Sequence, residues 1–369
     1  MDMILKKKRL LRKILFALLA AVLVMLTAAC TSDDDDASDA LSLQEETSQA
    51  SDDDSDEGYV AFDSMDTYMT ITVYGSNAQS AAEAAEAEIE RLDGILSAES
   101  EGSEVYEINE NGGGTLSSDC AFLIDVSLKL WEATGGAFDI SIYPVSVLWG
   151  FTTGDYAVPS DEDLAVALSL TGSSRLDWDA DTCLLSMEEG MSVTLGGIAK
   201  GYSGDLIMDI FEEYGVDGAI ASLGGNIVVY GSKPSGDLWK IAIQDPEDSA
   251  SYICVLSLEG NTNVITSGGY ERYFEEDGVT YHHILDPATG YPAQAGLTSV
   301  SIITENGTEG DGLSTALFVM GLEEAIEFWR STDEYDFEMV LVDEEKNVYI
   351  TEGLADSYSS DYAVTIISR

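Results

Sequence analysis

Gly218-Ala-Ile-Ala-Ser-Leu-Gly-Gly-Asn-Ile-Val-Val-Tyr230 reads as two short strands, 218–223 and 226–230, with Gly224-Gly225 between them. The flanking sequence continues in the same vein. Toward the C-terminus strands are expected at 238–244, 253–258, 270–274, 281–285 and 297–304, then a helix over 310–330 and a strand pair at 339–342 and 348–351. Toward the N-terminus a helix over 198–214 follows a strand at 192–195. The stretch 136–151 has no clean period and reads as an irregular packed connection. Helices are expected over 118–134, where Ile124, Leu128 and Trp131 share a face, and over 78–96, where Ile89, Leu92 and Leu96 do. An opening strand covers 60–74, with Met69, Ile71 and Val73 alternating against Thr. Strands in hairpin runs with helices interspersed, and no strict βαβ alternation, make the fold class α+β.

The chain starts with Lys6, Lys7, Lys8, Arg9, Arg12 and Lys13, an apolar run from Ile14 to Leu26, and Leu26-Thr-Ala-Ala-Cys30. This order is that of a secretory signal peptide over 1–29, with Cys30 placed as the lipid acceptor of a bacterial lipoprotein. The apolar run is shorter than the roughly 20 residues of a membrane span. Residues 30–58 carry many acids and almost no large apolar side chains, so they read as an extended acidic tether. The folded part is expected over 59–369. An exported protein, lipid-anchored to the outer face of the bacterial cytoplasmic membrane, is the expected location.

The formal charge is −53, and six of the sixteen basic residues lie in the signal segment. Such a field repels nucleic acid and anionic lipid surface, so no nucleic-acid partner is expected. The surface acidity itself reads as a solubility or habitat adaptation. Cys120, Cys183 and Cys254 are widely spaced, with no CxxC pair, and read as free thiols rather than zinc ligands or a disulfide framework.

Three stretches carry chemistry. The two histidines of the chain are adjacent, His282 and His283, ahead of an Asp-Pro turn. Adjacent strand residues point to opposite faces, so one of them can face a cleft, and His283, directly before Ile284-Leu285, is the candidate. Thr194-Leu-Gly-Gly-Ile-Ala-Lys-Gly201 joins a strand to a helix start, where small residues, free N–H groups and Lys200 suit an anion such as phosphate; a tight structural turn fits the string as well. Asp311 and Thr315, one helical turn apart, put two hard oxygens on one face for a cation such as Mg²⁺, or Asp311 is an ordinary acid near a helix N-terminus.

Together with Met65-Asp-Thr67, Gly135-Gly-Ala-Phe-Asp139, Leu148-Trp-Gly150, Leu223-Gly-Gly-Asn226, Thr266-Ser-Gly268 and His283-Ile-Leu-Asp-Pro-Ala-Thr-Gly290, these strings resemble the ApbE family of flavin transferases, in order and over nearly the whole folded part. The resemblance implies Mg²⁺-dependent transfer of FMN from FAD to a Ser or Thr hydroxyl of a target protein, with release of AMP. It implies metal ligation by Asp311, Thr315 and the main-chain carbonyl of Gly197. It places FAD against Met65, Ala137, Phe138, Asp139, Thr194, Lys200 and Leu285, and makes His283 the base. The implied partner class is a membrane redox subunit that accepts the flavin. Two positions depart from the family pattern: Thr194 stands where an Asp is common, and Glu99 where an aromatic residue is common, with Tyr106 the candidate replacement. Two other functions fit the same strings: an FAD pyrophosphatase yielding FMN and AMP, and a non-catalytic flavin-binding lipoprotein.

Overall fold

Nine strands cross the main sheet in chain order: β1 (Glu57–Ser64), β2 (Thr67–Tyr74), β3 (Gly218–Leu223), β4 (Asn226–Gly231), β5 (Thr262–Gly268), β6 (Leu297–Thr304), β7 (Glu338–Asp343), β8 (Val348–Thr351) and β9 (Val364–Ile367). Neighbours are antiparallel except β8 and β9, which are parallel. The computed structural model describes residues 56–369, so the signal segment, Cys30 and nearly all of the acidic tether lie outside the described residues. The first strand starts at Glu57, three residues ahead of the expected 60: β1 pairs with β2 along its whole length, and the Tyr59 N–H donates to Gln79 Oε1 at 3.0 Å.

Helices α1 (Ala78–Leu96), α2 (Glu104–Asn111), α3 (Ser118–Ala133), α4 (Tyr143–Trp149), α5 (Asp161–Leu168), α6 (Ala199–Tyr214), α7 (Gly307–Met320) and α8 (Leu322–Ser331) complete an α+β architecture, the class read from the sequence. The main sheet is covered on both faces, so its inner strands are apolar on both sides rather than alternating. On one face Ile71, Ala221 and Val228 pack against Ala81 and Ile89 of α1 and Ile207 and Phe211 of α6. On the other, Val229, Val264, Ile303 and Val340 pack against Ile241, Cys254 and Leu256 of a small second sheet formed by Trp239–Asp245, Asp248–Leu258 and Tyr358–Ser359. Cys120, Cys183 and Cys254 are free, the first and last buried.

Several elements depart from the sequence reading. The opening strand is a hairpin, because Met65 (φ 48°) and Asp66 (φ 60°) form a two-residue left-handed turn that sets Ser64 opposite Thr67. Residues 192–195 join no sheet: the Val193 N–H donates to Asn109 Oδ1 at 2.8 Å, and the Thr194 N–H to the Ile140 carbonyl at 2.9 Å. Within 136–151 a 3₁₀ turn leads into α4, with Pro144 in its first turn and Gly150 (φ 79°) ending it. The expected helix 310–330 is two helices, broken at Gly321 (φ 80°), where a Cβ would lie 2.4 Å from the Ala295 carbonyl oxygen.

Candidate active site

A cleft of about 1050 Å³ is lined by residues of β2, β3, β5, α7 and the first turn of α6. Met65, Ala137, Phe138, Asp139, Thr194, Gly197, Lys200, His283, Leu285, Asp311 and Thr315 all line it, so the structure brings the cleft residues named from the sequence into one place.

One wall is the crossing of α6 and α7. Gly201 leaves no room for a side chain there: a Cβ would lie 2.1 Å from the Gly307 carbonyl oxygen and 2.7 Å from Asp311 Cβ. That close approach lets Asp311 Oδ2 accept from the Gly201 N–H at 2.8 Å, while Oδ1 accepts from Nδ2 of Asn226 at 3.2 Å. Asp311 is therefore not an acid serving its own helix terminus. Asn306 caps α7, Gly307 starts it, and Asp311, in the second turn, is bonded to two other elements. Thr315 follows one turn later, its Oγ1 at 3.4 Å from Ser267 Oγ on β5. Gly197 backs onto the same hydroxyl, since a Cβ built there would be 3.9 Å from Thr315 Oγ1 and 3.2 Å from the Phe138 ring. Lys200 is the second residue of α6, whose N-cap residue, Ile198, makes no side-chain cap. The Ala199 N–H already donates to the Leu195 carbonyl at 2.9 Å and the Gly201 N–H to Asp311, so what this helix start offers an anion is the Lys200 charge and the positive end of the helix dipole.

The opposite wall hangs on a two-stranded hairpin, Tyr273–Glu276 paired with Val279–His282, turned by Asp277 (φ 52°) and Gly278 (φ 77°). The turn places this pair away from the expected 270–274 and 281–285, so His283 lies just beyond the strand. The His283 N–H donates to the Arg272 carbonyl at 3.0 Å, and Nδ1 lies 3.2 Å from the same oxygen. A carbonyl only accepts, so Nδ1 carries the proton and Nε2 the lone pair. Burial, with Arg272 and Lys200 adding positive charge, pushes the imidazole down to about 3. His282 turns the other way, with Nε2 3.0 Å from the Ala293 carbonyl and its ring edge-on to Phe318 at 5.4 Å. Behind His283 the loop is shaped by Asp286, which accepts from the Ala288 N–H and the Thr289 hydroxyl, both at 2.9 Å. Trp149 Nε1 donates to the Gly290 carbonyl at 2.8 Å, so the Leu148-Trp-Gly150 string, far away in sequence, meets Asp286–Gly290 here.

Asp139 is 8% exposed, and its carboxylate is fully used. Oδ1 accepts from the Ser141 N–H (2.8 Å), Ser141 Oγ (2.5 Å) and Ser173 Oγ (2.7 Å), and Oδ2 from the Ser173 N–H at 3.1 Å. It pins two loops together. Thr194 Oγ1 accepts from the Gly196 N–H at 3.2 Å and so shapes the Gly196-Gly197 turn. Beside Glu99, whose carboxyl is raised by burial and by Asp66, the aromatic ring lining the cleft is Tyr143, not Tyr106; its hydroxyl donates to the Ala98 carbonyl at 3.1 Å.

Glu271, Arg272 and Asn226 were not singled out by the sequence reading. Glu271 and Arg272 line the cleft, and desolvation pushes Glu271 up to about 7 against the opposing pull of Lys200. Their only sequence signal is the Tyr270-Glu-Arg run between Thr266-Ser-Gly268 and the hairpin.

The ApbE family model matches residues 65–340, from the Met65 turn into β7. The chain belongs to the ApbE family. Every cleft residue discussed above falls inside that ApbE match. Among curated relatives, the FAD:protein FMN transferase of Klebsiella pneumoniae is 34% identical over 67% of this chain and 78% of its own length. That of Treponema pallidum is 32% identical over 71% and 76%. Among solved structures, the ApbE protein of Thermotoga maritima superposes with a TM-score of 0.76 at 33% identity, covering 82% of this chain and 99% of its own. The Pseudomonas stutzeri flavinyl transferase ApbE, in its apo form, gives 0.72 at 29%, covering 82% and 96%.

Proposed function

We propose that this ApbE protein transfers FMN from FAD to a Ser or Thr hydroxyl of an extracytoplasmic protein, with Mg²⁺ as cofactor and AMP as the other product. The observation that carries the reading is the pairing across one cleft of an imidazole protonated at Nδ1 with a helix crossing where Lys200, Asp311, Thr315 and Gly197 line the wall.

The oxygen set fits a hard cation that keeps room for phosphate. Among the described residues no group of three or more His, Cys, Asp or Glu side chains is placed to hold a metal. Asp311 is the one carboxylate in the set, and Mg²⁺ is commonly bound by one or two carboxylates plus substrate phosphates. Asp311, Thr315 and the Gly197 carbonyl would hold it, and it would supply charge neutralisation at the pyrophosphate.

The chain's own groups do the rest. Lys200 and the start of α6 hold the phosphates, and the acceptor hydroxyl approaches the FMN phosphorus from the His283 side. Nε2 takes the hydroxyl proton as the new P–O bond forms, the bond from that phosphorus to the bridging oxygen breaks, and AMP leaves with the oxygen. His283 is neutral throughout the neutral range, so the base is always in its accepting form. A pyrophosphate set against Lys200 and Arg272 offsets the positive charge that depresses the imidazole and makes it a stronger acceptor.

Residues 1–29 would export the chain, and a lipid on Cys30 would tether residues 59–369 outside the membrane by the acidic segment, within reach of membrane redox subunits. Counting products tests the reading. One AMP released per flavin fixed on the acceptor supports transfer; AMP with an equal amount of free FMN, acceptor present, would assign a pyrophosphatase instead, and flavin binding with no AMP a non-catalytic binder.

A further inference from the structure

Asn226 opens β4 directly after the Gly224-Gly225 turn and is 2% exposed. The turn is wedged between two cleft residues. With φ at 62° and 97°, a Cβ on Gly224 would lie 2.3 Å from Thr67 Oγ1, and one on Gly225 2.8 Å from Glu271 Oε1. Main-chain pairing opposite Leu223 and Ile265 fixes the residue from both sides. Its Nδ2 donates to Asp311 Oδ1 at 3.2 Å, and its Oδ1 is buried without a hydrogen-bond partner. An orphaned buried carbonyl costs about 1–3 kcal/mol. Rotating the amide by half a turn would set that oxygen against the Asp311 carboxylate, so Asp311 imposes the orientation. An apolar side chain here would remove the orphaned carbonyl but also take the donor from Asp311 Oδ1, so the two changes offset each other in stability.

We infer that Asn226 is a positioning residue for the divalent cation, acting only through Asp311. Its Nδ2–H holds Oδ1 while the Gly201 N–H holds Oδ2, so the carboxylate is fixed in plane and rotation relative to Thr315 and Gly197. The Gly-Gly turn has a corresponding task, to set β4 so that this amide reaches α7. The inference rests on the metal reading given above, and the two can fail separately.

The test is a Mn²⁺ titration of the full chain with FAD present and no acceptor, free Mn²⁺ being followed by EPR, on wild type, Asn226→Leu, Asn226→Ala and Asp311→Ala. The expected result is a half-saturating Mn²⁺ concentration raised about 10- to 100-fold in both Asn226 variants, the usual effect of removing the partner of a metal ligand. Metal-free FAD binding and the unfolding midpoint stay near wild type, and in a separate assay with an acceptor domain added, transfer recovers at saturating Mn²⁺. A merely structural role would lower the folded fraction without moving half-saturation. Asn226→Ala carries the test if N226L does not fold. Unchanged half-saturation in the folded Asn226 variants, with Mn²⁺ binding abolished in Asp311→Ala, overturns the role of Asn226 alone. Unchanged binding in Asp311→Ala as well overturns the metal reading and this inference with it.

Discussion

The two walls of the cleft are built differently. The α6–α7 wall is fixed by backbone contact at Gly201 and by buried hydrogen bonds to both oxygens of Asp311. The His283 wall hangs from a two-stranded hairpin with exposed Tyr273 and Val279, and the imidazole is tied by Nδ1 to one carbonyl. A rigid wall suits the part of the reaction that is identical in every turnover, holding a pyrophosphate and its counter-cation. A wall attached by one small sheet suits the part that must admit a second protein. Alignment is the main task in phosphoryl transfer, so most of the sensitivity to substitution belongs on the first wall.

The sharpest way to break this contrast is Gly201→Ala. Its Cβ would meet backbone at 2.1 Å, so α6 and α7 must separate. A loss of stability of about 3 kcal/mol or more, the upper end of overpacking, is expected in denaturant unfolding, together with loss of metal binding. Asp311→Ala removes the carboxylate and strands the Gly201 N–H and the Asn226 amide, at a cost of about 1–3 kcal/mol each; in the protein that still folds, loss of several kcal/mol of charge stabilisation corresponds to about 10³-fold in turnover, measured as AMP release. His283→Ala should slow transfer by about 10²-fold or more while FAD affinity, read by flavin fluorescence, stays within a factor of a few. If affinity falls with rate, the division between the walls is wrong.

The smallest effect sharpens the electrostatics. Glu271 is raised in the fold to about 7, so the folded protein holds more protons than the unfolded chain between the ordinary glutamate range and pH 7. Its contribution to stability is present at low pH and is lost as pH rises through about 7. Glu271→Gln should therefore raise the unfolding midpoint much more at pH 8 than at pH 5. A gain of equal size at both pH values would mean that burial of the charge is not its cause.

The sequence disclosed these walls unequally. The α+β class and the strand pair around Gly224-Gly225 were legible because glycine marked the turn between two β-rich runs. The Met65-Asp66 turn was not, since two non-glycine residues adopt left-handed angles there and no dipeptide signal announces them. β5 was missed because Thr262–Gly268, in the middle of the sheet, lacks alternation. The break at Gly321 was read through because an isolated glycine inside a helical pattern is tolerated elsewhere; here the Ala295 carbonyl fills the Cβ position. In the site, the helix-start string, the i and i+4 oxygens and His283 were visible because each is a local pattern. Asn226 showed only as the end of the Leu223-Gly-Gly-Asn226 string and Glu271 was given no role, because their meaning lies in contacts across the chain, between β4 and α7 and between Gly225 and the segment before the hairpin.

The central claim is that this chain moves FMN from FAD onto a protein hydroxyl. It is tested most directly by the intact mass of a flavin-accepting domain after incubation with FAD, Mg²⁺ and the full chain, with and without chelator. The expected result is a mass gain of one FMN less water, located on a Ser or Thr, abolished by chelator and by Asp311→Ala and slowed by His283→Ala. An acceptor that stays unmodified while AMP and free FMN accumulate, or an adduct that forms as fast without the metal, would contradict it.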